Sequence, residues 1–435
     1  MVFDIQEFAN TFKKMEQKII RQIGINEYNL RLENIAKNML SPGALYRESS
    51  DRLFLYLLLS KALISNDMNF YNYYEGTRII PVIYNLAKKF DFIYSIKNFE
   101  NKISSLCSIK NKDIDSTLFE ILTAIYYYIE GYSVTFLEVE PPQKSPDILI
   151  EINGIKKFIE CKKMRRGNDY TYKELKAWYQ ISDRVADLLE QHKIVGYFHF
   201  KFTSEVEKIN PKRVFRKIYN KLSYCKNLEN KFYIVKNNDF KIKFTPIDKS
   251  KFDVVLETPL NTGTPSFIHY LIDDYNYNFH YKPRFDRECQ EGFCFISKLH
   301  WASLISCEFA CKESIEKKSQ YAQRLLVDAT RQLSNNMPGN IHILIEECQG
   351  ELVHIKRLLK NFHAVTNFKC QDKFTESIYI HYAKYITPIN DFFDVEETVT
   401  RYSRNGHHIK CVSPIWYPSE SIVNGFGTLF HDYRS

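Results

Sequence analysis

Two acidic residues and a lysine flank a short turn near the middle of the chain. Asp147 opens one strand-like run, 146–152, and Glu160 and Lys162 end the next, 155–163. Carboxylate oxygens are the ligands that Mg²⁺ and Mn²⁺ prefer. A lysine beside them could stabilise negative charge that develops on a phosphate. These residue types therefore suit metal-assisted hydrolysis of a phosphodiester bond.

The turn between the two runs fixes which residues face each other. Asn153-Gly154, flanked by isoleucines, predicts a two-residue type I′ hairpin. In that register the numbers of paired residues add to 307, which sets Asp147 opposite Glu160. Side chains alternate along a strand, so Lys162 shares the face of Glu160.

An acid that faces an acid across a hairpin needs a counter-charge. Directly opposed like charges destabilise a strand pair, so Asp147 and Glu160 predict a cation between them. The carbonyl oxygen of Cys161 is a further candidate ligand, and Lys162 is placed to orient the attacking water or steady the phosphate charge. The alternative is a solvated strand face with ordinary Glu–Lys pairs, as Glu151 opposite Lys156 suggests.

The Pro-Asp pair followed by Glu-Cys-Lys resembles the signature of the PD-(D/E)xK, or restriction-endonuclease-like, nuclease superfamily. The resemblance implies that Asp147 and Glu160 are metal ligands, that Lys162 is the catalytic lysine, and that Mg²⁺ or Mn²⁺ is the cofactor. It also implies a further acidic ligand on the preceding helix, for which Glu120 is the best match. The core order of this superfamily, helix, three-strand meander, helix and strand, fits the patterns over 115–203.

The predicted fold class is α/β, with a mixed-sheet restriction-endonuclease-like core. Apolar residues at three-and-four spacing predict helices through most of the first 110 residues. A second series of helices and strands begins near 312, and it either forms its own domain or extends the first sheet. The predicted regions are a helical N-terminal domain (1–110), the nuclease core (111–205), an insertion or accessory region (206–311) and a C-terminal α/β region (312–435).

A basic cluster follows the predicted hairpin. Its members could neutralise the phosphates of a bound nucleic acid, although a run of charge can also be a solvated face. The predicted nucleic-acid-binding residues are Lys163, Arg165, Arg166, Lys173, Lys176 and Gln180.

Two other groups of residues admit a chemical and a structural interpretation. Cys289, Cys294, Cys307 and Cys311 have loosely zinc-like spacing, but their apolar neighbours favour buried thiols. Glu346-Glu347 ends an apolar strand and is interpreted as strand-end charge, with a second acidic site as the alternative.

Composition agrees with a folded protein of several domains. The 435 residues are 44% hydrophobic and 15% aromatic, which excludes global disorder. The net charge of +8 permits nucleic-acid binding without requiring it. No signal sequence and no long apolar run is present, so we expect a cytoplasmic protein with reduced cysteines and no membrane association.

The leading functional prediction is a metal-dependent endonuclease that acts on DNA. A role in bacterial restriction or phage defence, a homodimer and a defence-system partner are expectations by family analogy. One alternative is an RNA-cleaving nuclease, because RNA contains the same phosphodiester. The other is a nucleic-acid-binding or assembly protein whose nuclease core no longer cuts.

Overall fold

The structure is a computed structural model that describes residues 4–39, 51–67, 71–138, 145–224, 232–262, 264–289, 295–333, 337–368, 375–386, 394–403, 406–411 and 413–418. Its helices are α1 (Ile5–Ile23), α2 (Ile25–Met39), α3 (Arg52–Ser65), α4 (Tyr73–Lys89), α5 (Phe99–Cys107), α6 (Ile114–Ile129), α7 (Asp169–Gln191), α8 (Pro211–Tyr224), α9 (Pro265–Ile272), α10 (Lys312–Lys318), α11 (Gln323–Leu333) and α12 (Glu351–Thr366). Its strands are β1 (Ser133–Phe136), β2 (Ile148–Ile152), β3 (Ile155–Lys163), β4 (Gly196–Phe202), β5 (Phe232–Lys236), β6 (Phe240–Thr245), β7 (Val255–Asn261), β8 (His280–Cys289), β9 (Phe295–Phe309), β10 (Gly339–Glu347), β11 (Thr375–Ile386), β12 (Asp394–Ser403) and β13 (Gly406–Cys411). Short 3₁₀ turns cover Phe90–Ser95, Val206–Lys208 and Lys249–Lys251.

The described strands form two mixed sheets. The first sheet has the order β1-β2-β3-β10-β11-β12-β13, and its meander β1-β2-β3 is antiparallel. Strand β10 lies parallel to β3 and to β11, and β12 and β13 continue antiparallel. The second sheet has the order β5-β6-β4-β9-β7, with β8 also paired to β9. The mixed α/β class and the helical N-terminal region are therefore confirmed.

The predicted elements occur in the predicted order, but the last two, the helix and the strand, do not join the sheet of the meander. Strand β4 lies in the second sheet, between β6 and β9, and not beside the meander. Helix α7 follows it there, because Trp178 and Val185 pack with the phenylalanines of β4 in a separate core. The place beside β3 belongs to β10, so the C-terminal series of strands extends the first sheet. An amphipathic pattern shows which face of an element is buried, but it does not show against which sheet.

The first sheet is covered on both faces. On one face, helices α1–α6 share a continuous apolar core with Ile148, Ile159 and Cys161. On the other face, α11 packs through Leu326 against Phe158. Alternation along β3 produces this division, because odd-numbered residues face α6 and even-numbered ones face α11.

Helix α6 begins and ends at residues with clear local reasons. The Asp113 side chain caps its first turn by accepting a hydrogen bond from the backbone N–H of Ser116 at 3.3 Å. Gly131 follows its last turn with φ of 89°, a left-handed value that glycine adopts without a Cβ clash. Because both ends of the helix are fixed, so is the position of Glu120 within it.

A chain of buried polar side chains joins α6 to three strands. The Tyr127 hydroxyl lies 2.9 Å from Nε2 of His342, whose Nδ1 lies 3.0 Å from Nε2 of His381. His381 Nδ1 lies 2.8 Å from the Glu397 carboxylate. Burial and the neighbouring His381 hold the pKa of His342 well below its usual value. A neutral His342 fits this interior, where every member of the chain has a polar partner.

Candidate metal and catalytic site

The hairpin that carries the candidate site has the predicted register. Ile148 of β2 pairs with Ile159 of β3, and the pairing continues without a shift to the turn. Asn153 and Gly154 have φ of 51° and 77°, the positive values that a type I′ turn requires at both central positions. The same register, extended by one residue, places the Asp147 position opposite Glu160.

Two carboxylates and a lysine meet at the open end of this hairpin. Asp147 is half-buried, and its Oδ2 accepts a hydrogen bond from the backbone N–H of Cys161 at 2.8 Å. The Glu160 side chain is 0% exposed, and its Oε1 is paired with Nζ of Lys162. The second oxygen of Glu160, Oε2, is buried and has no hydrogen-bond partner within the described part of the chain. A buried carboxylate oxygen without a donor is costly unless a cation or a proton satisfies it.

Helix α6 contributes a third carboxylate. Glu120 is 16% exposed, and the charges of Asp147 and Lys162 act on it. Its role as a metal ligand stays a prediction. Its side chain also forms an ion pair with Lys102, which comes from α5. Lys102 was not predicted from the sequence. Its pairing with Glu120 depends on the packing of α5 against α6, and nothing in the residues around it indicates that contact.

All three carboxyl groups have raised pKa values, and burial is the main cause in each. Burial and then the negative charge of Asp147 together raise the pKa of Glu160 to about 8, although Lys162 acts against them. Burial and then Asp147 raise the pKa of Glu120 to about 7, although Lys102 acts against them. Burial also raises the pKa of Asp147, although the Cys161 N–H acts against it. Crowded carboxyl groups of this kind exchange protons for a bound cation.

The donor set fits a hard divalent cation. Asp147 and Glu160 offer carboxylate oxygens across the hairpin, and Oε2 of Glu160 is buried without a hydrogen-bond partner in the described residues. Glu120 comes from α6, which covers the other face of β3, and stays a predicted ligand. Over the described residues, no three His, Cys, Asp or Glu side chains already converge as a cage. The carbonyl of Cys161 stays a predicted ligand; its thiol is buried on the α6 side of β3, where burial raises its pKa well above the usual value.

The predicted nucleic-acid-binding residues fall into different places. Arg165 is exposed after β3, and the half-buried Arg166 pairs with Glu75 of α4 at 3.2 Å. Lys173, Lys176 and Gln180 are exposed on α7, which packs on the second sheet.

Lys163 does not fit its predicted role. Its side chain is only 7% exposed, and its Nζ lies 2.8 Å from Glu346 and 3.3 Å from Asp115. Alternation along β3 turns Lys163 inward toward α6, so its charge is neutralised within the fold. The prediction that it contacts nucleic acid is therefore corrected.

Lys163 belongs to a buried ionic cluster between the N-terminal helices and the first sheet. Arg78 of α4, which is fully buried, lies 2.7 Å from Glu346 and 3.3 Å from Asp115. The Tyr56 hydroxyl donates a hydrogen bond to Asp115 at 2.6 Å. The cluster joins α4 and the first turn of α6 to the ends of β3 and β10. Glu346 is thus a charge at the end of its strand, as interpreted from the sequence, and it is held in a buried ion network.

The remaining residues considered for a site were Glu347 and four cysteines. Glu347 pairs with Arg357 at 2.7 Å, and both side chains are buried. Cys307 and Cys311 are buried thiols and Cys289 is an exposed one, while Cys294 lies outside the described residues. The interpretation of these cysteines as small buried side chains therefore holds for two of them.

Comparisons with known proteins leave the site geometry as the basis for function. No family model matches the chain, and neither the curated proteins nor the solved structures contain a similar chain. Within the described residues, no helix combines the length and the apolar character needed to cross a membrane.

Proposed function

We propose that the chain is a metal-dependent nuclease that hydrolyses phosphodiester bonds, with DNA as the expected substrate. The observation that carries the proposal is the hairpin pair of Asp147 and Glu160, with a buried Glu160 oxygen that lacks a donor. Lys162 on the same strand supplies the positive charge that a phosphoryl-transfer site requires next to its acids.

We also propose that α6, β1–β3, α11 and β10 form a restriction-endonuclease-like core. The parallel pairing of β3 with β10, and the packing of α11 across both strands, support this assignment. Residues 164–322, including the second sheet, are then a large insertion between the third core strand and the core helix.

The residues divide the chemical work among them. Asp147, Glu160 and Glu120 would hold Mg²⁺ or Mn²⁺, with the Cys161 carbonyl as a further ligand. When bound, such a cation polarises the scissile phosphate and lowers the pKa of coordinated water. Lys162 stabilises the charge that develops on the phosphate, and its pairing with Glu160 holds its ammonium group at the site.

A plasmid-cleavage assay with Mg²⁺, Mn²⁺ or EDTA tests the proposal. We expect metal-dependent cutting by the native chain and a loss of roughly 100-fold or more in Asp147→Ala and Glu160→Ala. Glu151→Ala is the matched control, because Glu151 is an exposed acid of the same hairpin that pairs with Lys156. Absence of metal-dependent cleavage of DNA and RNA by the native chain would overturn the enzymatic proposal. Equal cutting by Asp147→Ala and the native chain would move the site elsewhere.

A further inference from the structure

Helix α8 has a strongly basic outer face that the candidate site does not use. Its sequence, PKRVFRKIYNKLSY, contains five Lys and Arg residues and no acidic residue. Val214 and Ile218 are buried in the core of the second sheet. Among the basic positions, Lys217 is half-buried and the other four are exposed. The basic residues of α8 are Lys212, Arg213, Arg216, Lys217 and Lys221.

These charges repel one another along the helix. Lys212 and Arg216 are four residues apart, as are Arg213 and Lys217, and like charges at this spacing destabilise a helix. Arg213 lies 3.7 Å from Asp239, but both side chains are largely exposed, so that pair is weak. Within the described residues, Lys212, Arg216 and Lys217 form no ion pair. The face therefore carries positive charge that no acidic side chain of the described residues neutralises at Lys212, Arg216 or Lys217.

The neighbouring helix extends the same surface. Helices α7 and α8 lie on one face of the second sheet, because both supply apolar side chains to one core. Lys173 and Lys176 are exposed in the first half of α7. The acids in its second half face basic residues of β8: Asp183 pairs with Lys282, and Glu190 lies 3.5 Å from Arg284. The N-terminal halves of the two helices thus present positive charge, while the C-terminal half of α7 is balanced.

We propose that the outer face of α8, with the first half of α7, binds the phosphate backbone of a nucleic acid. The three charges Arg213, Lys217 and Lys221 are about 6 Å apart along the helix axis. The row spans about 12 Å, which matches about three to four phosphates of one strand. Backbone contacts of this kind fix position without reading sequence. The inference builds on the proposed nuclease function by assigning substrate engagement to the inserted second-sheet region.

Binding of short fluorescent nucleic acids tests the surface separately from cleavage. The probes are a DNA duplex, single-stranded DNA and single-stranded RNA, titrated in EDTA with the Asp147→Ala chain so that no cutting occurs. The test variant adds Arg213→Gln, Lys217→Gln and Lys221→Gln, which remove the three charges of the proposed row and keep good helix formers in place. The control adds Lys13→Gln, Lys14→Gln and Lys37→Gln, exposed lysines of α1 and α2 that give the same change in net charge.

We expect the test variant to bind roughly 10- to 100-fold more weakly at low salt, and the control to bind nearly normally. The slope of log K against log salt is negative, and its magnitude should decrease by about 2–3 in the test variant. The probe that loses the most affinity identifies the strand form that the surface prefers. An unchanged slope and affinity for all probes, or an equal loss in the control, would overturn the proposal. The proposal would also be overturned if the test variant lost binding to phosphatidylserine vesicles and kept its binding to all three nucleic acids.

The two proposals fail in different ways. If the native chain binds nucleic acid through α8 but never cuts it, the binding surface is supported and the enzymatic proposal is overturned. If the α8 variant binds normally while Asp147→Ala abolishes cutting, the catalytic site is supported and the binding surface is overturned.

Discussion

The Asp147 carboxylate is held across the hairpin by the backbone N–H of Cys161, 2.8 Å from Oδ2. This N–H belongs to the peptide that joins Glu160 to Cys161, so the backbone next to Glu160 positions the Asp147 carboxylate. The arrangement leaves little freedom between the two acids, since any motion of β3 moves both. Because the donor is a backbone N–H, a substitution of the Cys161 side chain does not remove this hydrogen bond to Asp147.

Lys162→Met should abolish most of the cleavage while leaving nucleic-acid binding intact. The lysine lowers the pKa of Glu160 and supplies the positive charge beside the acids. Without it we expect a loss of about 10²–10³-fold in kcat. Single-turnover cleavage and equilibrium binding measure the two effects separately. Lys156→Met is the control, because Lys156 is an exposed lysine of the same strand. A Lys162→Met chain with near-native kcat would exclude the assigned role.

The free energy of unfolding without metal should fall as pH rises from about 5 to 8. The Glu160 pKa is about 8 in the folded chain and near 4.5 in the unfolded one. The unfolded chain therefore loses this proton first, and the stability present below pH 4.5 is lost as pH rises through the folded value. Mg²⁺ replaces the proton, so it should stabilise the chain more at pH 8 than at pH 5.

Urea unfolding in EDTA and in Mg²⁺ checks this pH dependence, with Glu160→Gln as the matched variant. Glutamine does not titrate, so its chain should show a smaller fall and a smaller response to Mg²⁺. Identical curves for Glu160→Gln and the native chain would contradict the assignment of the titrating group.

Lys102→Met should shift the pH dependence of cleavage to higher pH. The Lys102 ammonium lowers the pKa of Glu120, so its removal raises that pKa above about 7 and strengthens proton competition for the metal. We expect the half-maximal point to move up by roughly one pH unit, with kcat at high pH nearly native. Lys102→Arg should restore the profile, and Lys110→Met, at an exposed position, should leave it unchanged. A lower kcat at every pH with no shift would indicate a different role.

Arg78→Met should be strongly destabilising. The Arg78 guanidinium contacts Glu346 and Asp115 where all three side chains are buried. Breaking a buried ion pair by removing one partner costs about 3–5 kcal/mol. Arg78 helps to lower the Glu346 pKa to about 2, so this stabilisation is present above pH 4.5 and is lost as pH falls toward 2.

Urea unfolding near neutral pH measures the cost of Arg78→Met. Lys156→Met is a suitable comparison, because its exposed pair with Glu151 should contribute about 0–1 kcal/mol. Similar stabilities for the two variants would show that the buried cluster does not hold α4 against the sheet.

Local chemistry made the centre of the site predictable from sequence. Asn153-Gly154 determines the turn, the turn determines the register, and the register determines that Asp147 faces Glu160. Each step depends on neighbouring residues. The helix that carries Glu120 does lie next to the meander, while its role in the site stays a prediction from the family resemblance.

Contacts between distant segments were not predictable in the same way. Lys102 and Lys163 are ordinary lysines in the sequence, and only the packing of α5 and α6 shows which charges surround them. Strand β4 has a sound strand pattern, but a pattern of alternation does not identify the neighbouring strand. The parallel partner of β3 comes from β10, about 180 residues later, and no local signal connects the two.

That separation has a consequence for biosynthesis. Glu160 pairs with Ile341, and ribosomes add roughly 5–20 residues per second. The hairpin with both acids is therefore synthesised about 10 to 35 s before β10, the strand that pairs with it. During that interval β3 is an exposed edge, the condition in which strands pair with wrong partners. The inserted second sheet lies between these two segments in the chain, so it leaves the ribosome before the candidate site can be completed.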